Sequence, residues 1–127
     1  MIASIRETNK VFIVDRLTDE VVWSFGGAIG QHHARMIPPG LAGAGNILLF
    51  DNGGTFGAPP ITRTYSRILE LDPITLHVVW KYEDQASFFS GTMGAVQRLP
   101  GGNTLVTQAE SGLLLDCLLY TSDAADE

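Results

Sequence analysis

The sequence predicts an all-β protein, about two four-stranded blades of a β-propeller left incomplete, and three observations carry that expectation. Short runs of β-branched and aromatic residues recur between turn signals, no segment sustains a helical period, and a hairpin pattern returns after 57 positions. The 14 glycines and 6 prolines among 127 residues suit a turn-rich chain of this kind.

The first hairpin joins Val11-Phe12-Ile13-Val14-Asp15 to Glu20-Val21-Val22-Trp23-Ser24-Phe25 through the turn Arg16-Leu17-Thr18-Asp19. It returns as Ile68-Leu69-Glu70-Leu71-Asp72, a turn through Pro73-Ile74-Thr75, and His77-Val78-Val79-Trp80-Lys81-Tyr82. Asp15 and Asp72, Thr18 and Thr75, Val22 and Val79, and Trp23 and Trp80 are each 57 positions apart. A second pair of strands lies between the hairpins, Ala34 to Pro38 with Gly45 to Phe50, and repeats as Gln97 to Pro100 with Gly102 to Val106. Asn103 again lies 57 positions after Asn46. In this alignment Arg98 reads as the repeat of Arg35 and as a structural residue.

One unit is therefore four short strands in meander order, the pattern of a propeller blade. A third copy begins at Leu113-Leu114-Leu115-Asp116, aligned with Leu69 to Asp72, and breaks at Cys117. Closure takes about four to eight blades, so the chain reads as a truncated part of a larger propeller. Residues 117–127 resemble the in-frame translation of a transposase sequencing adapter, as metagenomic sequence can carry. They are expected to be a non-native tail, leaving 1–116 as the partial propeller.

Composition excludes several functions. With 45% hydrophobic and 17% charged residues the chain could bury one domain-sized core. A net charge of −6, a pI near 4.9 and 8 scattered basic residues argue against nucleic acid, which needs clustered Lys and Arg. No apolar run approaches the ~18–20 residues of a membrane span, and the first residues lack the order of a signal peptide. The single cysteine, Cys117, closes no internal disulfide.

The chemistry-bearing stretch is Gly30-Gln31-His32-His33-Ala34-Arg35, approached through glycines. With the strand near His33 taken as innermost, the meander brings His32, His33, Asp51, Asn52 and Arg67 to one face. The loop 53–65 emerges there as a rim or lid. Strand alternation predicts that at most one of His32 and His33 looks into the channel. By residue type alone both read as turn residues satisfied by backbone groups, Asp51-Asn52-Gly53 as a turn, and Arg35 and Arg67 as surface charges. Two adjacent histidines without a spaced third ligand are a poor zinc signal, so no metal is expected. His77 sits in an alternating strand with nothing reactive beside it.

Gly30-Gln31-His32-His33-Ala34, Gly45-Asn46-Ile47-Leu48-Leu49-Phe50-Asp51-Asn52-Gly53-Gly54, Tyr65-Ser66-Arg67 through Asp72, and Phe89-Ser90 with Gln97-Arg98-Leu99-Pro100 together resemble the bacterial arylsulfate sulfotransferase family, in unbroken order over roughly residues 1–116. The resemblance implies a six-bladed parent propeller, periplasmic or extracellular. Its implied activity moves a sulfuryl group from an aryl sulfate to a phenol with no nucleotide donor and no cofactor. It implies His32 as the nucleophile that becomes transiently sulfated, with His33, at a position where the family varies, second. Neutral imidazole is a competent nucleophile near neutral pH, and its sulfated form can pass the group on. Arg67 is the candidate for stabilising charge on the sulfuryl oxygens and leaving phenolate, and His33, Asn52 and Thr92 are candidates for binding substrate. Ser90-Gly91-Thr92-Met93-Gly94 departs from the family's usual Ser-Pro sequence. The implied partners are small aryl sulfates and phenols, with no nucleic acid, no membrane insertion and a homo-oligomeric parent. The fragment alone is expected to be inactive. The rival reading is a non-catalytic propeller scaffold of the same family, because fold does not set function.

Overall fold

The computed structural model describes residues 1–54 and 63–117. Most of the expected lid, 55–62, and the adapter-like tail from 118 onward lie outside the described residues.

The architecture is all-β: the described residues form ten strands in antiparallel sheets of three, four and three. The first sheet holds β1 (Ile2–Ile5), β2 (Lys10–Val14) and β3 (Val21–Phe25), with a one-turn 3-10 helix, Arg6–Thr8, between β1 and β2. The second is a complete meander of β4 (His32–Met36), β5 (Ile47–Asp51), β6 (Arg67–Leu71) and β7 (Val78–Glu83). The third is β8 (Ala95–Arg98), β9 (Thr104–Gln108) and β10 (Leu113–Cys117). Strand β1 had no counterpart in the sequence reading. Its Ile2-Ala3-Ser4-Ile5 run is short and precedes a polar turn.

The 57-residue repeat is a repeat of turn chemistry. Asp15 Oδ1 accepts from Leu17 N at 2.8 Å, and Asp72 Oδ1 accepts from Ile74 N at 2.8 Å. Thr18 and Thr75 hydroxyls accept from the N–H two residues on. Asp19 and Leu76 then take the left-handed conformation, with φ of 60° and 65°, that closes each turn. Even the bulges coincide, between Ile13 and Val14 and between Glu70 and Leu71.

The second sheet is covered on both faces, which explains why Ile47-Leu48-Leu49-Phe50 is a continuous apolar run. Ile47 and Leu49, with Leu69 and Leu71, pack toward Val11 of the first sheet and Ala28 of the loop that follows it. Leu48, Phe50 and Ile68 pack toward Val96 and Val106 of the third and toward Phe88 in the connection that leads to it. Strand alternation sends neighbours to opposite cores. Burying each such side chain contributes about 1.5–3 kcal/mol. The two repeated tryptophans each reach the next sheet: Trp23 Nε1 donates to Pro73 O at 2.7 Å, and the Trp80 ring lies 5.6 Å from the Arg98 guanidinium.

Two alignments change in three dimensions. Leu99 N donates to Asn103 O as Ile37 N donates to Asn46 O, so Arg98 occupies the place of Met36 and not of Arg35. Where Met36 is exposed, Arg98 is buried and paired with Glu70. Likewise Cys117 faces Thr104 as Leu71 faces Ile47, which shifts the third copy by two residues and continues its strand through Cys117.

Candidate functional site

Strands β4, β5 and β6 bring the site together at one end of the complete sheet. His32 pairs with Phe50 and Asp51 with Arg67 in the strand registers. Asp51 is fully buried and accepts from Ile29 N at 2.8 Å and from Arg67 Nε and Nη2 at 2.9 and 2.7 Å. A second guanidinium, Arg63 Nη2, lies 3.0 Å from its Oδ1. Three sources of N–H thus surround one carboxylate, and they tie the loop before β4 to β5 and β6. Gly30, with φ of 63°, lets that loop turn onto the sheet, where its N–H donates to Asn9 Oδ1 at 2.8 Å.

Asn52, the next residue, is also fully buried. Its Nδ2 donates to Ser90 O at 2.7 Å and Met93 O at 2.8 Å, and its Oδ1 lies 2.9 Å from His32 Nδ1. Of the five residues expected at this end, His32, His33, Asp51, Asn52 and Arg67, the side chains form two separate sets: His32 meets Asn52, and Asp51 meets Arg67. Ser66, a buried hydroxyl, donates to Asn52 O at 2.8 Å and accepts from Ser90 N at 2.9 Å.

His33 departs from the alternation expected of a strand. Its φ is 55°, and the β4–β5 register shifts between His32 and Arg35, so this residue forms a bulge. A left-handed residue breaks the period of two, and both imidazoles become tied to the third sheet. His32 is tied through Asn52, while His33 Nδ1 accepts directly from Val96 N at 2.9 Å. Burial lowers the His33 pKa from its ordinary value, and the Arg35 charge adds to the effect.

The segment 90–94, which leads into β8, closes the site. Met93 has φ of 59°, a strained choice for a long side chain, and its carbonyl is one of the two that hold Asn52. Gly94 follows with φ of 108°, where a Cβ would fall 2.8 Å from the Phe50 ring. Thr92 lies in this segment, but its hydroxyl donates to Glu110 Oε2 at 3.1 Å. Glu110 Oε1 also accepts from Gly91 N at 3.0 Å.

Arg67 keeps 23% of its side chain exposed and shares an open groove with Leu69, Val78, Val79, Trp80 and Lys81. Its bonds here are to Asp51 and not to either histidine. His77 is exposed and remote from the cluster. Among the described residues no three side chains of the metal-ligating types assemble, and no helix is long and apolar enough to cross a membrane.

Sequence reasoning missed Arg63, Ser66, Glu110 and the Met93 carbonyl. Only Arg63 carried a usable signal, as a second arginine four residues before Arg67 on the far side of the same loop. The others act through a backbone carbonyl, a single hydroxyl, or, for Glu110, a carboxylate that accepts from Gly91 N and Thr92 Oγ1 18 to 19 residues away in the chain.

The sequence model of the family described as Arylsulfotransferase (ASST) matches residues 1–118. No curated protein matches the chain.

Proposed function

The chain belongs to the arylsulfotransferase family, and on that footing we propose that its His32 takes a sulfuryl group from an aryl sulfate and passes it to a phenol. The observation that carries the reading is the 2.9 Å contact between His32 Nδ1 and Asn52 Oδ1, which leaves the other ring nitrogen of a half-buried imidazole for chemistry. A ring-nitrogen lone pair attacks sulfur, an N–S bond forms, and the S–O bond to the aryl group breaks. The phenolate leaves with the bonding pair. The acceptor oxygen then attacks the same sulfur and the N–S pair returns to His32. The proton given up by the acceptor balances the one taken up by the released phenolate, with solvent between them.

Charge that builds on the sulfuryl oxygens needs fixed donors. Arg67 is the cationic candidate, with Asp51 fixing its orientation. Asn52, whose amide hydrogens are committed to Ser90 O and Met93 O, serves the histidine in this scheme and not the substrate. Thr92 would need to leave Glu110 to bind substrate.

The test is incubation of the full-length protein with a chromogenic aryl sulfate, followed by peptide mass analysis. A sulfated peptide containing His32, absent in His32→Ala, is the expected result. Equal modification and turnover in His32→Ala would remove the role. One observation favours the non-catalytic alternative, namely that Arg67 is bonded to Asp51 and opens on a different groove. That reading expects no histidine sulfation at any aryl sulfate concentration.

A further inference from the structure

We propose that the two adjacent imidazoles are held in opposite tautomers, His32 with its proton on Nδ1 and its lone pair on Nε2, His33 with its lone pair on Nδ1 and its proton on Nε2. The pair then presents a nucleophilic nitrogen and a neutral hydrogen-bond donor from consecutive residues. The inference deepens the sulfotransfer reading and rests on it for the roles, though not for the tautomers.

The argument for His32 begins at the third sheet. A primary amide is symmetric in shape, so its orientation is decided by its partners. Ser90 O and Met93 O are backbone carbonyls that can only accept, at 2.7 and 2.8 Å from the same Asn52 atom. That atom must be the NH2, because an oxygen there would face two oxygens with no proton between them. Asn52 Oδ1 is then an acceptor, and the His32 Nδ1 facing it at 2.9 Å must carry a proton. In the neutral ring the lone pair falls on Nε2.

The argument for His33 runs the other way. The Val96 N–H can only donate, so His33 Nδ1 at 2.9 Å must accept, and the proton of the neutral ring falls on Nε2. Protonating His33 would set two N–H groups against each other at this contact. The ring is therefore kept neutral by geometry, in the same direction as the lowered pKa. Its Nε2–H has no hydrogen-bond partner among the described residues, and the side chain is exposed. A neutral imidazole donating from Nε2 does not give up that proton, since the product would be an imidazolate. It can hydrogen-bond an oxygen that gains charge.

The arrangement depends on the bulge. Regular alternation would send the two rings to opposite faces, and the left-handed His33, φ 55°, is what lets both answer to the third sheet. Asn tolerates that conformation well. His33→Asn accordingly keeps the left-handed backbone and an acceptor near the Nδ1 position for Val96 N–H, and removes only the Nε2 donor.

The deciding measurement is long-range ¹H–¹⁵N correlation on the full chain labelled at histidine, at about pH 8, where a ring of ordinary pKa is neutral. His77, exposed and away from the site, is the internal reference. A protonated-Nδ1 pattern for His32 together with a protonated-Nε2 pattern for His33 is expected. The same tautomer at both positions overturns the proposal. Asn52→Leu should move His32 toward the pattern of His77, and an unchanged His32 pattern in that variant assigns its proton to some other partner and also overturns the proposal. If Asn52→Leu does not fold, the wild-type spectrum still decides. Where aryl sulfate modifies His32, the group is expected on Nε2 and the modification rate in His33→Asn about tenfold or more lower; sulfation at Nδ1 would overturn the proposal. Opposite tautomers without any histidine sulfation support the tautomers and remove the sulfotransfer reading alone.

Discussion

Two carboxylates of the second sheet, Glu70 and Asp51, each gather arginine, and the two clusters differ in what they leave to solvent. Glu70 and Arg98 bridge the second and third sheets at 2.8 Å with both side chains at 0% exposure. Their remaining groups are satisfied as well: Asn46 Nδ2 donates to Glu70 Oε2, Arg98 Nε to Thr104 Oγ1 and Arg98 Nη1 to Ala42 O. Asp51 is just as buried, but its partners Arg63 and Arg67 keep 17% and 23% of their side chains exposed. The same residue types thus make a sealed rivet in one place and a half-open cationic edge in the other. A guanidinium closed on all sides can only hold the fold, while one oriented by a carboxylate and open on another side can also meet an anion.

The largest expected effect is at the rivet. Arg98→Ala takes this guanidinium from the buried Glu70 carboxyl and should lower unfolding free energy by about 3–5 kcal/mol in urea titration. Replacing both partners with apolar residues, Glu70→Leu with Arg98→Met, removes the buried ion pair as a whole and should recover most of the loss. A double variant as unstable as Arg98→Ala would mean that the network contributes through its hydrogen bonds and not through charge pairing.

At the open cluster the loss should be smaller. Arg67→Ala leaves Arg63 and Ile29 N–H on Asp51, so roughly 1–2 kcal/mol is expected in the same titration. If Arg67 serves the sulfuryl oxygens, the drop in aryl sulfate turnover should exceed tenfold in folded protein. A stability loss equal to that of Arg98→Ala would erase the contrast between the clusters.

Two smaller effects sharpen the picture beside them. The lowered His33 pKa means that the folded chain resists the proton more than the unfolded chain does. Its contribution to stability is therefore present above the ordinary histidine pKa of about 6.5 and is lost as pH falls from there through the lower folded value. The acid-side slope in urea midpoints should flatten in His33→Asn. Cys117, packed against the core between the second and third sheets, has its thiol pushed up to about 11 by burial and then by Asp116. Alkylation at about pH 8 should be roughly a hundredfold slower than for a free cysteine, and urea should abolish the difference.

The hairpins were legible because their turns are local. Asp15 and Thr18, and again Asp72 and Thr75, hydrogen-bond within a few residues of themselves, so identity at a fixed spacing carries the whole structure. The continuous run Ile47 to Phe50 announced a strand but not its neighbours. Its burial on both faces depends on sheets contributed by residues far away in the chain. The shared end for His32, Asp51, Asn52 and Arg67 followed from the meander, since Asp51 and Arg67 face each other whenever Ile47 faces Leu71. Arg98 was misplaced because a match to Arg35 by residue type outweighed the proline alignment, which puts it at Met36.

The sequence by itself determined the strands other than β1, the meander, the repeated turns and the end of the sheet at which the candidate residues meet, because each follows from short-range pattern and register. Tertiary structure decided the rest. The bulge at His33, the left-handed Met93, the two carbonyls that orient Asn52 and the N–H of Val96 are backbone features, set by how the third sheet docks on the second. Residue type says that histidines are present, but a ring's proton goes where its neighbours accept or donate, and those neighbours are up to 63 residues away in the chain.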